Sequence, residues 1–229
     1  EGEIPAEVDA TLAAWRASPS LSVVPETVGG SDRFVDRLLP GILVMFLMFA
    51  VSLNAQTLVE DRRIGILERL LATPLTLGQL FAGKFLSGIV RAMAQAILLL
   101  SLAFIVLRVA GAGGFFQALV IALVVAAAVS AFGLIIAAVS RTRDQATWFA
   151  VIVTMFMTIF GGTFFPVDGP LDIVSRITLN RYAIDAMEGV ISRGETLGAF
   201  WVELAVLGGV AAVCLAVARP LFRVAGATK

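Results

Sequence analysis

Residues 60–84 read EDRRIGILERLLATPLTLGQLFAGK, a charged stretch between two long apolar runs. Residues 38–59 before it and 85–109 after it are almost entirely apolar. Each run has about the 20 residues that a helix needs to cross a bilayer. Because charged side chains are costly in hydrocarbon, the stretch is predicted to lie in water or among lipid headgroups. We call residues 60–84 the charged loop.

The charged loop has a helical pattern of its own. Pro74 interrupts this helix because it lacks a backbone N–H and disfavours a helical Thr73. A second helix is predicted to restart at Thr76, where Thr76 and Gln79 have the spacing of a capping box. The apolar residues that recur at three- and four-residue spacing and predict the first, amphipathic helix are Ile64, Leu67, Leu70 and Leu71.

The composition predicts an all-α membrane protein. Of the 229 residues, 59% are hydrophobic and the mean hydropathy is +0.96, above the ~45–50% apolar content of soluble domains. The net charge is zero and no basic tract is present, so nothing indicates nucleic-acid binding. Histidine is absent, which excludes Ser-His-Asp and Cys-His catalysis and His-based zinc sites. The single cysteine, Cys214, lies in an apolar run and is predicted to be a small buried hydrophobe.

Hydropathy predicts five membrane-spanning helices, at 38–59, 85–109, 116–140, 146–165 and 200–218. They form a transmembrane domain over 37–223, with two short outer helices in 167–198 and a tail at 224–229. Residues 1–36 are polar and are interpreted as the end of a domain on the far side of the membrane. Since the chain begins at Glu1 and not at Met, it is expected to be part of a longer polypeptide.

Residue patterns within these segments predict how they pack and where they end. Small residues at four-residue spacing predict close packing of the second span (Gly88, Ala92, Ala96) and of the third (Ala122, Ala126, Ser130). A tight turn is predicted at 111–114, and Arg219-Pro220 is predicted to end the last span. The second outer helix is predicted to run from a cap at Asn180 to Arg193, with Gly194 as its stop. Its two faces are predicted to hold Arg181, Asp185, Glu188 and Ser192 on one side and Ala183, Met187, Val190 and Ile191 on the other.

The charged loop closely resembles the cytoplasmic loop of ATP-binding-cassette (ABC) type-2 exporter permeases, which carries the helix that docks on the ATPase. The resemblance rests on the pattern Glu60-x-Arg62-x-x-Gly65-x-Leu67-Glu68-x-Leu70-x-x-Thr73-Pro74. The residues that it implies for coupling to the ATPase are Glu60, Arg62, Arg63, Ile64, Gly65, Leu67, Glu68, Arg69, Thr73 and Pro74.

The resemblance also implies an architecture and partners. The chain would hold spans two to six of a six-span permease, which pairs with a second copy or a paralogue in the bilayer. It contains no Gly-x-x-x-x-Gly-Lys-Ser/Thr phosphate loop. No cofactor is therefore expected in this chain, and ATP and magnesium are expected on a separate ATPase subunit or domain. Positive residues are denser on the side of the charged loop, which predicts that the loop and the C-terminus are cytoplasmic. A bacterial inner membrane is expected.

By the same resemblance, the first and fourth spans would line the transport pathway, with Phe46, Asn54, Met155, Phe156 and Phe160 as lining residues. The lining lacks charge at the membrane centre, which favours a hydrophobic or amphipathic substrate. Glu203, the one acidic residue well inside a span, is expected to be hydrated or paired near the outer surface. An alternative is a non-transporting scaffold or signalling subunit that couples an ABC ATPase to an extracytoplasmic partner. A membrane enzyme is disfavoured, because catalytic residues do not cluster at membrane depth.

Overall fold

The computed structural model describes residues 31–107, 112–164 and 172–227. Most of the predicted extracytoplasmic segment 1–36 lies outside these ranges. Within them the chain is helical: α1 Ser31–Arg63, α2 Ile66–Leu71, α3 Leu77–Leu107, α4 Ala112–Val139, α5 Arg143–Phe160, α6 Asp172–Ser175, α7 Leu179–Ile191, a 3-10 helix Leu197–Phe200 and α8 Trp201–Ala227.

Four helices of the described part are long and apolar enough to cross a membrane: Leu38–Arg63, Gly78–Ile105, Gly113–Val139 and Leu197–Pro220. They correspond to the first, second, third and fifth predicted spans. The fourth predicted span overlaps α5, which has 18 residues and begins with Arg143 and Asp144. At a rise of 1.5 Å per residue, α5 is roughly 27 Å long, slightly less than the hydrocarbon core. The count of five spans therefore stays a prediction.

The helix α4 lies at the centre of the bundle and contacts α3, α5, α7 and α8. Its predicted packing face is confirmed, because Ala122, Ala126 and Ser130 are all buried. The predicted small face of α3 is confirmed as well, with Gly88, Ala92 and Ala96 buried. Small side chains let helix backbones approach closely, which is the main source of packing attraction inside a bilayer.

The second outer helix, α7, packs against both α4 and α8. Its apolar face is confirmed, since Ala183, Met187, Val190 and Ile191 are all buried. On the predicted polar face, Ser192 is exposed and the other three residues are half-buried. This amphipathic helix therefore closes one end of the bundle instead of lying free on its surface.

The predicted cap of α7 is wrong. Thr178 holds the N-cap position, and the helix begins at Leu179. Asn180 lies inside the first turn, is fully buried, and donates from Nδ2 to Thr163 Oγ1 over 2.6 Å. The side-chain amide of Asn180 therefore bonds to Thr163, outside α7, and does not cap the helix as the local pattern predicted. The helix also ends at Ile191, two residues before the predicted Arg193.

Two further helix boundaries differ from the predicted ones. The helix α8 continues through Pro220 to Ala227, although its candidate membrane span ends at Pro220. Membrane helices tolerate proline where neighbouring groups compensate for the lost hydrogen bond. Of the predicted turn at 111–114, residue 111 lies outside the described residues, and the other three are already part of α4, which begins at Ala112. Glycine is tolerated there because the first turn of a helix has few intrahelical bonds to lose.

Replacing Gly189 with alanine is expected to destabilise the fold. A Cβ at Gly189 would lie 1.8 Å from Cζ of Phe200, so the ring would have to move. Such overpacking costs about 1–3 kcal/mol. Thermal unfolding of the detergent-solubilised protein should show a lower melting temperature for Gly189→Ala. Gly208→Ala on α8 is the control, because its Cβ meets nothing within 4 Å. Equal melting temperatures for the two variants would contradict this packing.

Candidate functional site

The charged loop begins with a sharp break at Gly65. The helix α1 ends at Arg63, Gly65 has φ 71°, and α2 begins at Ile66. This left-handed conformation costs a residue with a Cβ about 1 kcal/mol, whereas glycine adopts it without this cost. The predicted continuous helix from Ile64 to Leu71 is thus wrong at its start. The spacing of apolar residues continues across the glycine and conceals the break.

The second half of the loop follows the prediction. The backbone N–H of Thr76 donates to Oε1 of Gln79 over 2.9 Å, and the N–H of Gln79 donates to Oγ1 of Thr76 over 3.3 Å. This reciprocal pair is the predicted capping box, which is confirmed. Pro74 lies in the turn before it and is exposed. Thr73 Oγ1 donates to the carbonyl of Leu70 over 2.5 Å, which closes the C-terminal end of α2.

The loop presents apolar side chains beside arginines. Ile64 is 52% exposed and Leu75 is 41% exposed. Arg63 and Arg69 are exposed as well. The side chains of Leu67 and Glu68, two predicted coupling residues, lie outside the described set. An exposed apolar surface with a charged rim is typical of a protein interaction site.

An ion pair joins the two ends of the charged loop. Lys84 Nζ, on α3, donates to Oδ2 of Asp61, on α1, and both side chains are largely shielded from solvent. Partial burial strengthens the attraction between the two charges relative to an exposed pair. Asp61 starts the loop and Lys84 ends it, so both ends are held at one point. Sequence reasoning missed this pair, because 23 residues separate its members.

Two more polar contacts follow the ion pair along the helices, on the side away from the charged loop. Arg91 donates from its guanidinium to Thr57 Oγ1 over 3.0 Å, and Asn54 donates from Nδ2 to Ser130 Oγ over 3.3 Å. Arg91 therefore reaches back toward the loop. We call these three contacts the polar ladder: Asp61–Lys84, Thr57–Arg91 and Asn54–Ser130. The ladder ties α1 to α3 and α4.

Gly88 is what lets the three helices approach at the ladder. A Cβ on Gly88 would lie 2.7 Å from Oγ of Ser130 and 2.9 Å from Nδ2 of Asn54. These distances are shorter than any side chain tolerates, so a larger residue would push apart the two hydrogen-bonded groups. The close approach of the helix backbones and the hydrogen bond between Asn54 and Ser130 therefore both depend on the glycine at position 88.

Gly88→Ala is expected to loosen the polar ladder. The overpacking cost of about 1–3 kcal/mol corresponds to amide exchange in α1 around residues 54–61 that is faster by roughly fivefold to a hundredfold. Hydrogen–deuterium exchange followed by mass spectrometry measures this. Gly83→Ala, on the same helix, is the control because its Cβ meets nothing within 4 Å. Unchanged exchange in Gly88→Ala would show that the helices do not meet there.

The predicted pathway residues fall into two groups. Phe46 on α1 and Met155 and Phe156 on α5 are exposed. Phe160 is half-buried and packs against Phe156 with ring centroids 4.7 Å apart and the rings tilted by 42°. These side chains give α1 and α5 each an apolar outer face. Asn54, in contrast, is held in the polar ladder.

At the opposite end of the bundle, Arg181 joins α6 and α7. Its guanidinium donates to Asp185 over 2.9 Å, to Asp172 over 3.2 Å and to Ser175 over 3.1 Å. The hydrogen bond with Asp185 is the largest cause that raises the pKa of Arg181, and Asp172 adds to it against the opposing effect of burial. A raised folded-state pKa contributes stability below the ordinary arginine value, so the contribution is fully present at neutral pH.

Arg181→Gln is expected to lower the free energy of unfolding by about 1–2 kcal/mol, because it removes charge-assisted hydrogen bonds to two carboxylates. Arg176→Gln is the matched control: Arg176 also pairs with Asp172, but its side chain is 72% exposed. Exposed pairs contribute about 0–1 kcal/mol. Denaturant titration at neutral pH compares the two. A larger loss in Arg176→Gln than in Arg181→Gln would refute the ranking.

Glu203 lies in the first turn of α8 and is half-buried. Its Oε2 is shielded from solvent and has no hydrogen-bond partner among the described residues. The positive end of a helix dipole favours a carboxylate at this position. The predicted hydration or pairing of Glu203 stays a prediction.

Comparison with known proteins gives two matches. The family model of ABC-2 type transporters matches residues 15–191, a range that contains the charged loop, the polar ladder and α7. The chain is also similar to ABC transporter G family member 20 of Dictyostelium discoideum, at 27% identity over 162 residues. That alignment covers 68% of this chain and 22% of the relative, so the chain spans about a fifth of the relative's length.

Proposed function

This chain belongs to the ABC-2 type transporter family, and on that premise we propose that it is the permease of an ATP-driven exporter. It is a multi-pass membrane protein and the membrane part of an ABC transporter. Because its sequence has no phosphate loop, ATP and Mg²⁺ would bind to an ATPase subunit or domain outside this chain. Hydrolysis there would drive movement of the spans.

The observation that carries this proposal is the exposed surface of the charged loop. Ile64 and Arg63 are exposed at the end of α1, and the loop is held at its base by Asp61 and Lys84. In the proposed complex, the ATPase contacts Ile64, Arg63 and α2. Exposed ion pairs alone contribute little, so the apolar Ile64 would supply much of the contact energy. A rigid-body shift of the ATPase would then pass into α1 and α3.

We further propose that the pathway forms between two permease copies or paralogues. The apolar outer faces of α1 and α5, with Phe46, Met155 and Phe156 exposed, support this arrangement. Aromatic and methionine side chains adapt to varied apolar surfaces. The substrate would be hydrophobic or amphipathic, such as a lipid, a drug-like molecule or a glycan-linked molecule.

The proposed orientation puts the charged loop and the C-terminus in the cytoplasm and α7 on the outer side. It is supported by the density of arginine around the loop. We propose a bacterial inner membrane as the location. In this orientation the polar ladder lies at the cytoplasmic end of the bundle, directly inside the ATPase contact.

Ile64→Asp is expected to uncouple the permease from its ATPase. A charge in an apolar contact costs about 2 kcal/mol or more at an interface hot spot, which is roughly thirtyfold in affinity. The measurement is co-purification of a separate ATPase subunit. Where the ATPase is part of the same polypeptide, the measurement is substrate-stimulated ATP hydrolysis of the complete transporter in nanodiscs.

The matched control is Ile173→Asp on α6, since Ile173 is 70% exposed at the opposite end of the bundle. It should leave ATPase binding and stimulation unchanged. Equal effects of the two variants would refute the coupling role of the loop. Intact coupling without transport of any apolar substrate would refute the exporter and favour a scaffold that transmits force only.

A further inference from the structure

Arg91 has a charge that the described part of the protein leaves uncompensated. Its guanidinium donates to Thr57, and no carboxylate of the described residues lies within salt-bridge distance of it. Thr57 donates its hydroxyl proton to the carbonyl of Leu53 over 2.8 Å, so it meets Arg91 only as a neutral acceptor. Thr57 thus orients the arginine without neutralising it.

The position of Arg91 makes this charge costly. It lies seven residues beyond Lys84 on α3, or roughly 10 Å along the helix axis, inside the candidate span Gly78–Ile105. The side chain is exposed on the outer surface of the bundle. A cation facing lipid at this depth needs a counter-ion, and a long side chain can reach toward the headgroups to find one. Arg91 reaches toward Lys84, which is itself a cation, so the counter-ion is still to be supplied.

A cleft of about 30 Å³ opens where Arg91, Ser87 and Lys84 meet α1. The Lys84 ammonium has three N–H donors, of which Asp61 takes one. Ser87 is exposed, and its hydroxyl has no hydrogen-bond partner among the described residues. Three donor groups therefore converge on one cleft, with two positive charges against the single negative charge of Asp61. The net charge matches a phosphate monoanion, and the volume admits one of its oxygens.

The surface leading away from the cleft is apolar. Leu98 and Leu102 follow Arg91 along the outer surface of α3, away from Lys84, and are 65% and 56% exposed. An acyl chain can lie along this surface while its headgroup stays at the cleft. A free phosphate ion would use the cleft alone and leave the apolar surface unused.

We infer that the cleft between α1 and α3 binds the phosphodiester of an anionic phospholipid through Arg91, Ser87 and Lys84. Basic pockets between membrane helices bind anionic headgroups in this manner. A zwitterionic lipid is disfavoured because its own cation would lie near Lys84 and Arg91. The bound lipid would neutralise Arg91 and brace the polar ladder from outside. This site does not depend on the transport proposal.

The test uses the full-length protein in detergent, with phosphatidylglycerol or phosphatidylcholine added. Native mass spectrometry counts bound lipid, and thermal unfolding reports the stabilisation. The wild-type protein is expected to bind phosphatidylglycerol about tenfold more tightly than phosphatidylcholine, the size of one charge-assisted hydrogen bond. Arg91→Gln should remove this preference. Arg141→Gln, an exposed arginine outside the cleft, is the matched control and should retain it.

Ser87→Leu covers the case in which Arg91→Gln does not fold. Leucine would fill the mouth of the cleft and should abolish the preference while the Arg91–Thr57 contact remains. Retention of the preference in Arg91→Gln or in Ser87→Leu would overturn the site. Equal binding of the two lipids to the wild-type protein would overturn it as well. Equal stabilisation by inorganic phosphate at matched phosphate concentration would show an ion site and overturn the lipid assignment.

Discussion

The Asp61–Lys84 ion pair fixes the point at which the chain leaves the membrane bundle and returns to it. Its two residues lie at the start and the end of the charged loop, and both are largely shielded from solvent. Removal of one partner from a shielded pair leaves an uncompensated charge, which is far more costly than the net gain of the pair itself. The pair therefore determines which helix ends lie side by side, and the rest of the charged loop connects these two ends.

Close packing in the bundle depends on the same contacts. Gly88 brings α3 within reach of Ser130 and Asn54, and a Cβ at Gly133 would lie 3.1 Å from the Cβ of Asn54. Lipid is as apolar as a leucine side chain, so helices in a membrane gain little from burying apolar surface. Attraction comes instead from short-range contact and from polar pairs, both of which require small residues at the crossing. The central position of α4, with its alanines and Ser130, follows from this requirement.

Features that depend on short stretches of chain could be predicted from the sequence. Apolar length predicted five spans, and four of them correspond to helices that can cross a membrane, because the bilayer demands about 20 apolar residues per span. The capping box at Thr76 and Gln79 and the packing face of α4 were predicted for similarly local reasons. The long-range contacts could not be predicted: Asn54 meets Ser130, 76 residues away. Asn180 likewise bonds Thr163 and not the helix end. The break at Gly65 was missed because the spacing of apolar residues carries no information about backbone dihedral angles.

The length of α2 limits how the charged loop can transmit movement. Helices as short as its six residues are marginal in water by themselves, so α2 depends on its flanking segments for orientation. Ile64 lies before the break at Gly65, and its N–H still donates to the carbonyl of Glu60 over 3.0 Å. In the proposed transporter, a push on Ile64 therefore acts on the end of α1 directly. The adjacent ion pair of Asp61 then carries it into α3, and Asn54 carries it into α4. In that transporter, Ile64, which precedes the break at Gly65, would be the contact that acts most directly on α1.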